Sequence, residues 1–353
     1  MGLFKDILAH NESLFLDTIA LDLEYVPKIV PYRENQQKYI AECIKPLFNN
    51  RSGRNLFIYG SSGIGKTVAV KHIFNELNQE TDDIYTIYIN CWKKDTEFKV
   101  LKEICDQLNF KFISNKSSDE LFDDVKKLLN RKSVVICFDE IDKLQTPEII
   151  YSILEDILRK TILFISNDKK WLLNLDSRIK SRLNLEILEF KPYNYEETKG
   201  IISQRVDLVF VPNVFEKNSI TIIVDKTYET NDIRNGIFLL KQSGDLAEAK
   251  SSRKITQDNV KEAISKLSNF NYNRSSDLIE EDKEILDLIK GNSGKSITEI
   301  FDLYKDKGDK SYRTFQRKID RLKKANIILT EEINEGARGK STKIFYSKKL
   351  NEF

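Results

Sequence analysis

Asn55–Val68 reads NLFIYGSSGIGKTV: a short apolar run, a glycine-rich turn, then Lys-Thr opening the amphipathic stretch TVAVKHIFNEL. Gly60-Ser61-Ser62-Gly63-Ile64-Gly65-Lys66-Thr67 satisfies G-x-x-x-x-G-K-[ST], with a strand pattern before it and a helix pattern after it. The glycines let the backbone curl so that successive N–H groups face one anion, and the helix amino terminus adds the positive end of its dipole. Lys66 supplies a mobile ammonium for the β and γ phosphates and Thr67 a hydroxyl for Mg2+, while Val68 closes the junction with the helix. This loop predicts ATP/ADP and Mg2+ as ligands.

Outward from the loop the chain alternates apolar runs with amphipathic ones: IYTIYIN, VLKEICDQL, SVVICFDE, ILEDILRK, ILFIS. Strands that are nearly continuous Ile, Val, Leu and Phe suit a parallel sheet covered by helices on both faces, so residues 1–192 are expected to form a doubly wound α/β domain. VVICFDE, Val134–Glu140, is an apolar run that ends in two carboxylates. Buried carboxylates there are costly unless the strand end faces a cation and water. Asp139 is therefore assigned to Mg2+ through water and Glu140 to polarising the attacking water. TILFIS ends at Asn167, whose amide is placed to orient water beside the γ phosphate. Arg178, Arg182 and Arg234 are further candidates, and spacing alone does not choose among them.

After KPYNYEET the strand signals fade, and residues 193–270 carry helical spacing, as in Ile233, Ile237 and Leu240. SNFNYNRSSD, Ser268–Asp277, has no periodicity and reads as a linker. Residues 278–353 hold three helical patterns, the third with Tyr312, Phe315, Ile319 and Leu322 on one face, then the hairpin pattern IILTEEI and TKIFYS. Three helices and a hairpin describe a winged helix-turn-helix.

Composition narrows the chemistry. The 353 residues are 40% hydrophobic and 32% charged, which suits a soluble globular chain. No run approaches a membrane span, and MGLFKDILAH is broken by charge before a signal-peptide core forms, so the expected compartment is the cytoplasm. Four cysteines without CxxC spacing and two histidines do not assemble a zinc site or a triad. The net charge of +2 hides an asymmetry: residues 311–353 hold eleven Lys/Arg against five Asp/Glu, a net of +6 on a body at −4, which suggests an anionic partner for this end. On the third helix Arg313, Gln316, Arg317, Arg321 and Lys324 lie away from the apolar face, where Arg and Gln suit base edges, and the hairpin residues Arg338 and Lys340 suit phosphates or the minor groove.

Together YVPKIVPYREN, NLFIYGSSGIGKT, VVICFDEIDKL, LFISND, LDSRIKSRLNLEILEFKPYNYEE, NDIRNGIFLLKQSGDLAE and the terminal winged helix resemble the AAA+ ATPases of the archaeal origin-recognition and cell-division-control type replication initiators. The resemblance covers nearly the whole chain. It implies that Tyr25, Val26, Pro27 and Arg33 surround the adenine, that Asn167 is the sensor-1 residue, that Arg234 reaches the nucleotide from the lid, and that Arg182, with Arg178 the runner-up, acts as an arginine finger across a subunit boundary. It further implies an ATP/ADP switch with slow hydrolysis, double-stranded origin DNA, the MCM helicase and other initiator subunits as partners, and a nucleoid-associated cytoplasmic location. The chain departs from the family at Asn231-Asp232, where Gly-Asp is usual, and at Gly236, which is expected to interrupt the helix carrying Arg234. A nucleotide-switched regulatory ATPase that uses its winged helix for protein contacts is the other reading.

Overall fold

The computed structural model describes residues 13–111, 116–267, 283–305, 311–324, 328–334 and 340–346. They form two compact units, Met1–Ala263 and Ile264–Phe353.

The first unit is built on a five-stranded sheet in the order β2-β3-β4-β1-β5, with β1 Leu56–Tyr59, β2 Ile84–Asn90, β3 Ser133–Asp139, β4 Lys160–Ser166 and β5 Glu186–Glu189. Every pairing is parallel, so all five carboxyl ends share one edge. Alternation sorts the side chains into two layers. Phe57, Ile87, Ile136, Phe138 and Phe164 pack with α3 (Glu97–Gln107), α4 (Ser118–Leu129), α5 (Glu148–Asp156) and α7 (Ser177–Leu183). Leu56, Ile58, Val135, Cys137 and Leu163 pack with α1 (Glu34–Ile44) and α2 (Lys66–Glu80). The short helix α6, Lys170–Asn174, follows β4.

β5 is absent from the strand patterns above because it is an edge strand: Ile187 is half exposed, and four residues of alternating burial make no apolar run. The helix expected through ILEDILRK stops at Asp156, and residues 157–159 turn directly into β4.

Three helices follow in the same unit, α8 Tyr195–Val209, α9 Ser219–Thr230 and α10 Ile233–Ala249, and a further helix, α11, covers residues 257–267, past the unit's end at Ala263. Asn194 and Glu197 open α8 with a reciprocal capping box. Asn231, at φ +51°, ends α9 in the left-handed region, and Asp232 caps α10 by accepting the Arg234 N–H at 2.9 Å. The expected interruption at Gly236 does not occur, since α10 runs unbroken through it. A Cβ there would lie 2.5 Å from both Ile202 Cδ1 and Thr227 Oγ1, so the glycine is where α8 and α9 press against α10. No helix among the described residues is long and apolar enough to cross a membrane.

The second unit contains α12 Lys283–Gly291, α13 Ile297–Lys305, α14 Tyr312–Lys324 and the antiparallel pair β6 Ile328–Asn334 and β7 Lys340–Tyr346. Ile285, Ile289, Ile300, Phe315, Ile319 and Ile344 form its core. Tyr312 departs from the expected apolar face: it is exposed and meets Phe301 edge-on at 4.9 Å.

Gly236→Val should lower stability by about 1–3 kcal/mol, because the crossing cannot open without separating packed helices. Chemical denaturation checks this, and an unchanged midpoint would contradict a close crossing.

Candidate functional site

The phosphate loop joins β1 to α2 and sits at the carboxyl edge of the sheet between β4 and β5. Gly60, Gly63 and Gly65 all have positive φ, and Gly60 lies so close to the chain that a Cβ would meet Phe190 O at 2.2 Å. Among the described residues the N–H groups of Gly63, Gly65, Lys66 and Thr67 find no acceptor. Unmet donors converging at a helix amino terminus suit a polyphosphate.

Lys66 Nζ donates to Gly60 O at 2.6 Å, Ser61 O at 2.7 Å and Asn167 Oδ1 at 3.2 Å. Burial pulls its ammonium down to about 8, against the opposing pull of Asp139. Because β4 lies between β1 and β3, Asn167 stands between the loop and the acidic strand end. Asp139 is buried, and Thr67 Oγ1 donates to its Oδ2 at 2.6 Å. That bond spends the Thr67 proton and leaves the oxygen's lone pairs for a cation, so the residues fit Mg2+. Glu140 takes the left-handed conformation at φ +53°, and burial, then Asp139 and Asp142, raise its carboxyl.

A cavity of about 330 Å3 is lined by Tyr25, Val26, Pro27, Gly63, Gly65, Lys66, Thr67, Val68, Asp139, Glu140 and Arg234. These come from the chain before α1, the phosphate loop, the acidic strand end and the first turn of α10. Ile233 N–H donates to Gly63 O at 3.2 Å, tying α10 to the loop by its backbone. The Arg234 charge opposes protonation of both Lys66 and Glu140.

Several expected residues lie elsewhere. Arg33, expected beside the adenine, does not line the cavity. Its guanidinium is buried, donates to Ile64 O at 3.0 Å and Lys191 O at 2.7 Å, and stacks 3.8 Å from the Tyr193 ring centroid. It is spent on bracing the loop from outside. Gly60 and Ser61 offer their carbonyls to Lys66, Ser62 is exposed, and the Ile64 side chain is buried in the core, so none of the four lines the cavity. Arg182, in α7, pairs with Glu155 over Tyr151, beside Lys160 at the amino end of β4 and away from this chain's own cavity. Arg178 also lies in α7, with its side chain outside the described residues.

Among the lining residues that sequence reasoning passed over are Tyr88, Tyr193 and Arg205, with Glu24 and Lys71. Tyr88 Oη donates to Asp139 Oδ2 at 2.6 Å, the Tyr193 hydroxyl occupies the space beside Gly65, and Arg205 lies 4.8 Å from the Tyr25 ring centroid. The signal for Tyr88 is a polar tip inside an apolar strand pattern, which gains meaning only once β2 is known to neighbour β3.

In the second unit Arg313, Gln316 and Arg317 are exposed on α14. Arg321, Lys324 and Lys340 lie in α14 and β7 with their side chains outside the described residues, and Arg338 is outside them altogether.

Residues 50–170 match the AAA domain family and residues 199–265 the Cdc6 AAA+ ATPase-type lid domain. The ORC1-type DNA replication protein 2 of Methanothermobacter thermautotrophicus is 29% identical across 96% of this chain and 93% of its own length. The ORC1-type DNA replication protein 1 of Sulfolobus acidocaldarius is 30% identical across 91% of this chain and 87% of its own. Among solved structures, the Aeropyrum pernix ORC1 protein in complex with DNA superposes with a TM-score of 0.79 at 22% identity, covering 96% of this chain and 94% of that one.

ATP affinity should fall as pH rises above about 8. The free Lys66 loses its proton there, whereas a bound phosphate raises its pKa, so binding takes up a proton and weakens as the supply falls. Calorimetry in two buffers of different ionisation heat, at pH 7 and pH 9, measures the uptake. No uptake at pH 9 would contradict a depressed Lys66.

Proposed function

The chain belongs to the ORC1-type DNA replication proteins, AAA+ P-loop ATPases with a Cdc6-type lid, and on that premise we propose that it is an ATP-dependent initiator that binds origin duplex DNA and helps recruit or load the MCM helicase. The Ile233 N–H to Gly63 O bond carries the switch reading: the helix that bears Arg234 and the loop that cradles phosphates share one backbone contact. A change at the γ phosphate is therefore felt by the lid without an intermediary.

In this reading the loop N–H groups and Lys66 hold the phosphates, Asn167 orients the attacking water, and the raised carboxyl of Glu140 accepts its proton. Thr67, and Asp139 through water, would hold Mg2+, which would supply charge neutralisation to the phosphates. Arg182 serves the site of a neighbouring subunit, consistent with its distance from its own cavity. Exposed Arg313, Gln316 and Arg317 enter the major groove, with the basic surplus of this unit on phosphates, and the protein works in the cytoplasm at the nucleoid.

Fluorescence anisotropy on origin against scrambled duplex, with ATP or ADP, tests the proposal. Wild type should prefer the origin duplex and lose affinity steeply with salt. Arg313→Ala/Arg317→Ala should weaken origin binding by about tenfold or more. Equal affinity for both duplexes, or an unchanged variant, would overturn DNA reading by this unit and favour a protein partner for it.

A further inference from the structure

Asp139 has more donors than its place beside a cation requires. Thr67 Oγ1 and Tyr88 Oη each lie 2.6 Å from Oδ2, and the Glu140 N–H lies 2.9 Å from Oδ1. A carboxylate offers about four acceptor directions. Three are used within the protein, so one remains for the cation side, enough for a metal-bound water.

Tyr88 is itself held by an ion pair in the same cavity. Lys71 Nζ lies 4.9 Å from its ring centroid and pairs at 2.8 Å with Glu24 Oε2, and this pairing keeps the Glu24 carboxyl below its usual range. A cation over the ring makes the phenol a stronger donor, and bonds in such a chain reinforce one another. Glu24 and Lys71 line the same cavity as Tyr25-Val26-Pro27, Tyr88 and Asp139. Glu24, Lys71, Tyr88 and Asp139 thus form one continuous path from the segment before α1 to the acidic end of β3.

We propose that Tyr88 is a positioning residue which, through Lys71 and Glu24, couples the seating of residues 22–27 to Mg2+ binding at Thr67 and Asp139. The inference rests on the reading of this cavity as a magnesium–nucleotide site. The phenol holds Oδ2 in one orientation, and the outer residues hold the phenol. When the segment is seated, Glu24 holds the Lys71 ammonium over the ring and Asp139 is aimed; when it lifts, Lys71 is no longer held there and the grip on Asp139 loosens. Packing of Tyr88 in the sheet would account for its presence but not for a dependence on Glu24, whose side chain is 73% exposed.

The test is the factor by which Mg2+ tightens binding of a fluorescent ATP analogue to the full chain, from paired titrations with the cation and with chelator. Tyr88→Phe should cut this factor by about tenfold, the usual scale for a group that orients a metal site from outside. Glu24→Gln should cut it by about twofold to threefold, the scale of an exposed ion pair. The double variant should lose little beyond Tyr88→Phe alone, because both act along one path. If the factor survives intact in Tyr88→Phe, or in Glu24→Gln, the relay is overturned even where both affinities fall together. Glu24→Gln decides the matter if Tyr88→Phe does not fold, since Glu24 is a surface residue. A wild-type chain that gains nothing from Mg2+ would overturn the magnesium reading itself, which distinguishes that failure from failure of the relay.

Discussion

Gly63 and the first turn of α10 approach so closely that a Cβ on Gly63 would lie 1.8 Å from Asp232 Oδ1. The approach brings Ile233 N–H to Gly63 O and sets Arg234, the next residue, on the cavity wall. Loop curvature, lid position and the reach of Arg234 are consequently one geometric quantity. A side chain at position 63 would meet both a forbidden backbone region and an occupied space, so the glycine answers to the lid as well as to the phosphate.

The loop is also held from the other side. Arg33 spans Ile64 O and Lys191 O, so a single buried guanidinium ties the loop to the linker between β5 and α8. Burying that charge would be prohibitive alone, but two carbonyls and the faces of Phe190 and Tyr193 receive it. Lys66 is caged from within by Gly60 O and Ser61 O. The loop therefore keeps its cradle by neighbours on each flank, while the N–H groups of Gly63, Gly65, Lys66 and Thr67 find no acceptor among the described residues.

Much of this was readable before folding. The apolar runs ending at Tyr59, Phe138 and Ser166 are buried on both faces, and such strands announce themselves. Thr67, Asp139 and Asn167 could be named because each sits at a strand end or a helix start. Tyr88 could not, because its role depends on β2 lying beside β3, which is a fact about strand order rather than local pattern. For Arg33 the resemblance implied a place around the adenine, whereas its guanidinium donates to Lys191 O in the linker after β5.

The departure at Asn231-Asp232 is where local chemistry and the site meet. The chain must reverse between α9 and α10 within two residues, which requires one left-handed residue followed by an extended one; Asn231 at φ +51° and Asp232 at φ −135° supply them. Asparagine accepts that conformation at modest cost and, unlike glycine, restricts the unfolded chain. Asp232 then acts twice, capping α10 through the Arg234 N–H and filling the space that Gly63 leaves open. A bulkier residue at 63 displaces the cap, and a larger cap at 232 displaces the loop. The two positions constrain each other, which is why asparagine can replace glycine at 231 without moving Arg234 from the cavity, while Asp232 and Gly63 have no such freedom.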